Sequence, residues 1–131
     1  MKIEIIQSSE TSCSSKIRKH QVSCDRPQEK GGNDEGPMGG EYFLMGLGGC
    51  FTSNLLAAIK NRNANISNVQ LDVTAILQGK PSRISEINIA VSADYEDQKL
   101  FEKLLIIAER GCIIANTIKD SVKLSVTVNI P

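Results

Sequence analysis

The segment 41–61, EYFLMGLGGCFTSNLLAAIKN, is almost free of charge between Tyr42 and Ile59. It places Phe43, Leu44, Leu47, Phe51, Leu55, Ala58 and Ile59 at separations of three and four. That is the period of an α-helix, and so wide an apolar stripe belongs to a helix at the centre of a fold rather than on its surface. Glu41 falls in the first turn, where an acid complements the positive end of the helix dipole. The remaining elements therefore have to supply the faces that cover this helix.

The chain has 131 residues, a length that suits one domain over 1–131. Residues 2–7 read as a short strand, the Ser/Thr-rich interval 8–15 as a turn, and 16–24 as a weak edge strand with few apolar residues. The interval 25–40 holds five of the ten glycines together with Pro27 and Pro37. So long a loop directly before the central helix is expected to shape a pocket. Val69, Leu71, Val73, Ala75 and Leu77 alternate with polar residues, as do Ile87, Ile89 and Val91, and 78–82 joins them into a hairpin. Asp94 is expected to cap a second helix with Leu100, Phe101, Leu104, Leu105, Ile107 and Ala108 inward. That pattern persists through Ile113, Ile114 and Ile118, with a break at Gly111. Val122, Leu124, Val126, Val128 and Ile130 form a last strand with one wet face. The order β-β-α-β-β-α-β implies an α+β fold, an antiparallel sheet packed on two long central helices.

Charge narrows the partners. Fifteen Lys and Arg balance fifteen Asp and Glu, which leaves no electrostatic drive toward nucleic acid or an anionic membrane. Aromatics make up 4% with no Trp, too few for base-stacking platforms. Glu4 interrupts the apolar run a signal peptide needs at the N-terminus. No stretch is expected to supply the roughly 18 apolar residues of a membrane span. The expected compartment is the cytoplasm.

Cys13, Cys24, Cys50 and Cys112 contain no C-x-x-C spacing, and His20 is the sole histidine. A disulfide scaffold or a zinc site therefore lacks a pattern. The thiols are either small buried hydrophobes or redox groups. Gly46, Gly48 and Gly49 precede Cys50, and Gly111 precedes Cys112, although a glycine inside a helix costs roughly 1 kcal/mol against alanine. Close helix contact is one reason, and room beside sulfur another. Close helices would bring Cys50 and Cys112 within the roughly 4.4–6.8 Å Cα separation of a disulfide. The residues by themselves leave both readings, packing and chemistry, open.

The run Gly31-Gly32-Asn33-Asp34-Glu35-Gly36-Pro37, then Glu41 and Leu44-Met45-Gly46-Leu47-Gly48-Gly49-Cys50, with Cys112 followed by Ile113, Asn116, Thr117 and Ile118, resembles the OsmC/Ohr family. That family comprises the osmotically inducible protein C and organic hydroperoxide resistance proteins. The resemblance spans nearly the whole chain and implies an OsmC-like fold, an intertwined homodimer with active sites at the interface, and no metal or organic cofactor. It also implies a cytoplasmic thiol peroxidase in oxidative stress defence. In such a peroxidase Cys50 would be peroxidatic and Cys112 resolving, organic hydroperoxide the substrate, and an external dithiol the reductant.

A thiolate nucleophile needs a nearby cation or donor. In the peroxidases of this family an Arg held by a helix-start Glu supplies it, which points to Glu41 as the carboxylate. Glu41 lies nine residues before Cys50, where hydroperoxide resistance proteins place theirs ten before, so the resemblance is to an OsmC-like branch apart from the best-studied peroxidases. Of Arg18 and Arg26, Arg26 is the better candidate because it starts the loop leading to the helix. His20 and Arg110 read as surface residues. Cys13, in the Ser-rich turn, and Cys24, under the sheet, carry no catalytic role. Phe43, Leu47 and Phe51 read either as core or as acceptors for an alkyl chain. The alternative function, from another class, is a small-ligand binding protein or redox sensor of the same fold.

Overall fold

The structure, a computed structural model, describes residues 1–129. Where the sequence reading expects a single domain over 1–131, the chain divides into two compact units within the central helix, after Phe43. Ile130, assigned to the last strand, lies outside the described residues.

The first unit carries a three-stranded antiparallel sheet, β1 (Ile6–Gln7), β2 (Cys13–Ile17) and β3 (His20–Cys24), in that order. The first strand is shorter than expected, and Ile3 and Ile5 stay exposed. The turn is confined to residues 8–12, where the Ser9 hydroxyl accepts the Thr11 and Ser12 N–H groups. Cys13 consequently begins a strand, which corrects its placement in a turn. The single weak strand expected over 16–24 is instead part of a hairpin closed at Arg18 and Lys19, with Arg18 at φ 56°. Turn backbone of this kind sets strand register whether or not the strands are apolar, so hydrophobic periodicity gave little sign of it.

Residues 25–38 wrap around one carboxylate. Asp25 Oδ1 accepts the N–H of Arg26 at 2.7 Å, and Oδ2 accepts those of Asn33 at 3.1 Å and Glu35 at 3.2 Å. A short 3-10 turn, Gln28–Lys30, ends at Gly31 in the left-handed region. A Cβ at Gly32 would overlap the carbonyl of Arg26, so only glycine fits this closure. Burial opposes the Asp25 charge, but the N–H groups of Glu35, Arg26 and Asn33 and the Thr11 hydroxyl outweigh it and hold the carboxyl below its ordinary range. A lowered folded value means the loop gains stability above the ordinary Asp pKa of about 3.9 and loses it as pH falls through the folded value. Hydrogen-exchange protection of the Asn33 and Glu35 amides should therefore hold at pH 5–7 and fade below about pH 4. In Asp25→Asn that dependence should disappear; protection unchanged down to pH 2 in the native protein would contradict the assignment.

The second unit begins at Leu44, inside α1 (Gly39–Asn61). Leu47, Phe51, Leu55, Ala58 and Ile59 of this helix are buried in one core with Ile87, Ile89 and Val91 of β5 and Phe101, Leu104, Leu105 and Ala108 of α2. Each Leu, Ile, Val or Phe among them contributes roughly 1.5–3 kcal/mol by leaving water. Leu47 and Phe51 have no exposed surface, whereas Phe43 does not join the buried stripe. At 23 residues α1 is also long and apolar enough to cross a membrane, contrary to the expectation of no such stretch. Here its apolar stripe is spent on protein contacts.

The second sheet has the order β4 (Ile66–Gln78), β5 (Arg83–Tyr95) and β6 (Lys123–Val128). The β4–β5 hairpin is antiparallel as expected, but β6 runs parallel to β5. The expected all-antiparallel sheet is thus corrected to a mixed one, alongside a separate sheet in the first unit. Two helices, α2 (Gln98–Gly111) and α3 (Ile113–Ile118), intervene between β5 and β6, and a helical crossover returns the chain in the direction it left. The register shifts between Ile76 and Leu77, which breaks the alternation and leaves both side chains exposed. Leu77 therefore does not face inward. Asp97, not Asp94, caps α2, accepting the Leu100 N–H at 3.0 Å. Asp94 still belongs to β5, where it accepts a hydrogen bond from Asn68. Tyr95 stacks on Phe101 at 4.5 Å between ring centroids.

Candidate functional site

The path of the chain at Cys112 builds the site. Cys112 leaves the helical region (φ −80°, ψ 108°), so it ends α2 and begins α3. Its sulfur accepts the Ala115 N–H at 3.5 Å, and its side chain has no exposed surface. The break swings Ile113 out to solvent, correcting its inward assignment, while Ala115 returns to the core.

Cys50 lies on α1 and is half-buried. The Cys112 thiol lies close enough to Cys50 for the two side chains to interact. Burial pushes the Cys112 thiol above its ordinary range; the Ala115 N–H opposes this and the neighbouring Cys50 reinforces it. The geometry brings together the two cysteines that the sequence reading paired, and it leaves Cys50 the more accessible of them.

Asn54, one turn beyond Cys50, was not anticipated. Its amide Nδ2 donates to the Cys50 carbonyl at 2.9 Å and lies 3.9 Å from Cys50 Sγ. The i,i+4 spacing on one helix face was the available signal. The same side chain accounts for Gly111: a Cβ there would lie 2.7 Å from Asn54 Oδ1. Glycine before Cys112 thus admits Asn54 between the helices. At Gly48 a Cβ would meet Val73 at 3.1 Å, so the α1 glycines serve close packing as well.

Glu41 and Arg26 lie in the first unit. Glu41 is exposed, and its Oε1 accepts the Met38 N–H at 2.9 Å, half of a capping box at the start of α1. The Arg26 side chain is exposed, and its backbone is engaged by Asp25 and Asp34. Among the described residues no hydrogen bond joins Arg26 to Glu41. Arg18, His20 and Arg110 are exposed, as expected for surface residues. Leu47 and Phe51, closed into the core, are not available as walls for an alkyl chain. A groove of about 450 Å³ runs beside them along α1 and β4, lined by Leu44, Met45, Gly48, Gly49, Leu71 and Val73. Among the described residues no cluster of His, Cys, Asp and Glu suited to a metal ion occurs.

The model of one protein family, OsmC-like protein, matches residues 31–127, a span from the Gly-Gly-Asn-Asp-Glu-Gly-Pro loop to the last strand that contains both Cys50 and Cys112. The chain belongs to the OsmC-like family. Several solved structures share its fold over nearly their full length. A hypothetical protein from Aquifex aeolicus is 18% identical, with 99% of this chain and 95% of that chain covered and a TM-score of 0.85. An OsmC-like protein from Mycoplasma pneumoniae is also 18% identical, covering 99% and 94%, with a TM-score of 0.83. An organic hydroperoxide resistance protein OsmC from Legionella pneumophila is 16% identical, covering 99% and 98%, with a TM-score of 0.77. No curated protein sequence matches significantly. The OsmC-like assignment carries the α+β fold with it.

Proposed function

We propose that this OsmC-like chain is a thiol peroxidase that reduces organic hydroperoxides in oxidative stress defence. The observation carrying the reading is the close approach of Cys112 to Cys50. A Cys50 thiolate attacks the terminal peroxide oxygen, the O–O bond breaks, and the alkoxide leaves as alcohol after taking a proton, with Cys50 sulfenic acid remaining. The Cys112 sulfur then attacks the sulfenic sulfur and expels water, closing the Cys50–Cys112 disulfide. An external dithiol reopens it by exchange and leaves as its own disulfide. Asn54 supplies a neutral donor beside Cys50 Sγ. Arg26 and Glu41 are assigned the guanidinium and the carboxylate that orients it, with Glu41 Oε2 available because Oε1 caps α1.

Within this proposal the protein works as a homodimer with the site at the subunit interface, in the cytoplasm, where four free thiols suit a reducing environment. The test is to add cumene hydroperoxide to reduced protein and map disulfides by mass spectrometry. One Cys50–Cys112 bond per chain per equivalent of peroxide is expected. Thiols that stay reduced while peroxide persists would instead favour a binding protein of the same fold.

A further inference from the structure

The β2–β3 hairpin assembles a second pair of thiols, distinct in sequence from the first. Its register sets Cys13 directly opposite Cys24. Residues so opposed on antiparallel strands have Cα atoms roughly 4.5–5.5 Å apart and side chains on one face, inside the roughly 4.4–6.8 Å range a disulfide spans. The side chains are close enough to interact: burial pushes the Cys24 thiol up, and the neighbouring Cys13, then the charge of Asp25, add to it. Unlike Cys112, neither sulfur is closed off, since both residues are half-buried. Both line a cleft of about 450 Å³ whose other walls include Glu10, Thr11, Ser12, Asp25 and Arg26. Both also line an apolar cleft of about 250 Å³ with Ile3, Ile5, Ile17 and Val22. Free cysteines used purely for packing are among the most enclosed of residues. A directly opposed pair lining two clefts does not fit that use.

We propose that Cys13 and Cys24 are a second dithiol site, one that closes reversibly to a cross-strand disulfide by exchange with a low-molecular-weight disulfide entering through the polar cleft. One protein thiolate attacks a sulfur of the small disulfide, whose S–S bond breaks and releases one small thiolate. The second protein thiolate attacks the protein sulfur of that mixed disulfide, forms Cys13–Cys24 and releases the second small thiolate. The two protons of the protein thiols end on the two released thiols. The protein loses two electrons and the small disulfide gains them. No peroxide is needed, so this site stands apart from the Cys50–Cys112 reading.

The test uses the intact wild-type chain equilibrated in buffers of reduced and oxidised glutathione, then acid-quenched, alkylated and digested with trypsin. Cleavage after Lys and Arg puts Cys13, Cys24, Cys50 and Cys112 on four different peptides, 3–16, 20–30, 31–60 and 111–119. Peptides 3–16 and 20–30 should leave the alkylated pool together and reappear joined, in a single two-electron transition. The joined form should exceed glutathione adducts at either cysteine by about tenfold, because the strands hold the second thiol at high effective concentration. In Cys24→Ser, Cys13 should instead accumulate as the glutathione adduct. The proposal is overturned if both peptides stay separately alkylated at the most oxidising poise. It is equally overturned if wild type yields only separate adducts, or if either peptide joins chiefly to 31–60 or 111–119.

Discussion

Cys50→Ser is expected to lower the rate of organic hydroperoxide consumption by roughly a thousandfold or more, because a serine hydroxyl at neutral pH replaces the attacking sulfur and nothing else in the chain takes over its step. Cys112→Ser should behave differently. It should consume one equivalent of peroxide per chain and then stall, with Cys50 trapped as a sulfenic acid that a dimedone-type reagent labels. The difference follows from position: Cys50 is half-buried and open to substrate, whereas Cys112 is enclosed. Peroxide consumption at the wild-type rate by Cys50→Ser would show that another thiol is the nucleophile. A Cys112→Ser variant that turns over repeatedly with a dithiol would remove the resolving role.

The second large effect concerns the core beneath the site. Phe51 follows Cys50 on α1, has no exposed surface and packs within the core formed with β5 and α2. Phe51→Ala should destabilise the protein by about 3–5 kcal/mol, combining lost transfer energy with the cavity left behind. Against a typical total of about 5–15 kcal/mol, that is enough to unfold a large share of the molecules on modest warming. Urea denaturation should show the midpoint fall with an unchanged slope. Leu77→Ala is the natural control: Leu77 lies beyond the register shift and is 66% exposed, so its loss should stay within about 0.5 kcal/mol. Equal effects at the two positions would place the core elsewhere.

Most of the second unit was legible in the sequence because its signals are local and strong. The charge-free stripe of α1, the alternation of Val69 to Ala75 and of Ile87 to Val91, and the spacing of Phe101, Leu104, Leu105 and Ala108 each state their period within a dozen residues. The motifs around Cys50 and Cys112 were equally legible and carried the family resemblance. The helix cap moved from Asp94 to Asp97 because β5 runs on to Tyr95, a boundary set by pairing with β4 rather than by the residues themselves. The β2–β3 hairpin escaped notice because a polar strand has no apolar period to read.

The amino-acid order alone determined that α1 would be a central apolar helix, that an alternating hairpin would follow it, and that a glycine would precede both Cys50 and Cys112. Which sulfurs meet was decided only in three dimensions. Cys50 and Cys112 come together through the break at Cys112, and Cys13 faces Cys24 through a register counted from the turn at Arg18 and Lys19. Asn54 fills the space that Gly111 leaves open. The physical reason is the same in each case: helical and strand periods are properties of neighbouring residues, whereas contact between distant side chains depends on the backbone path that all the intervening packing selects.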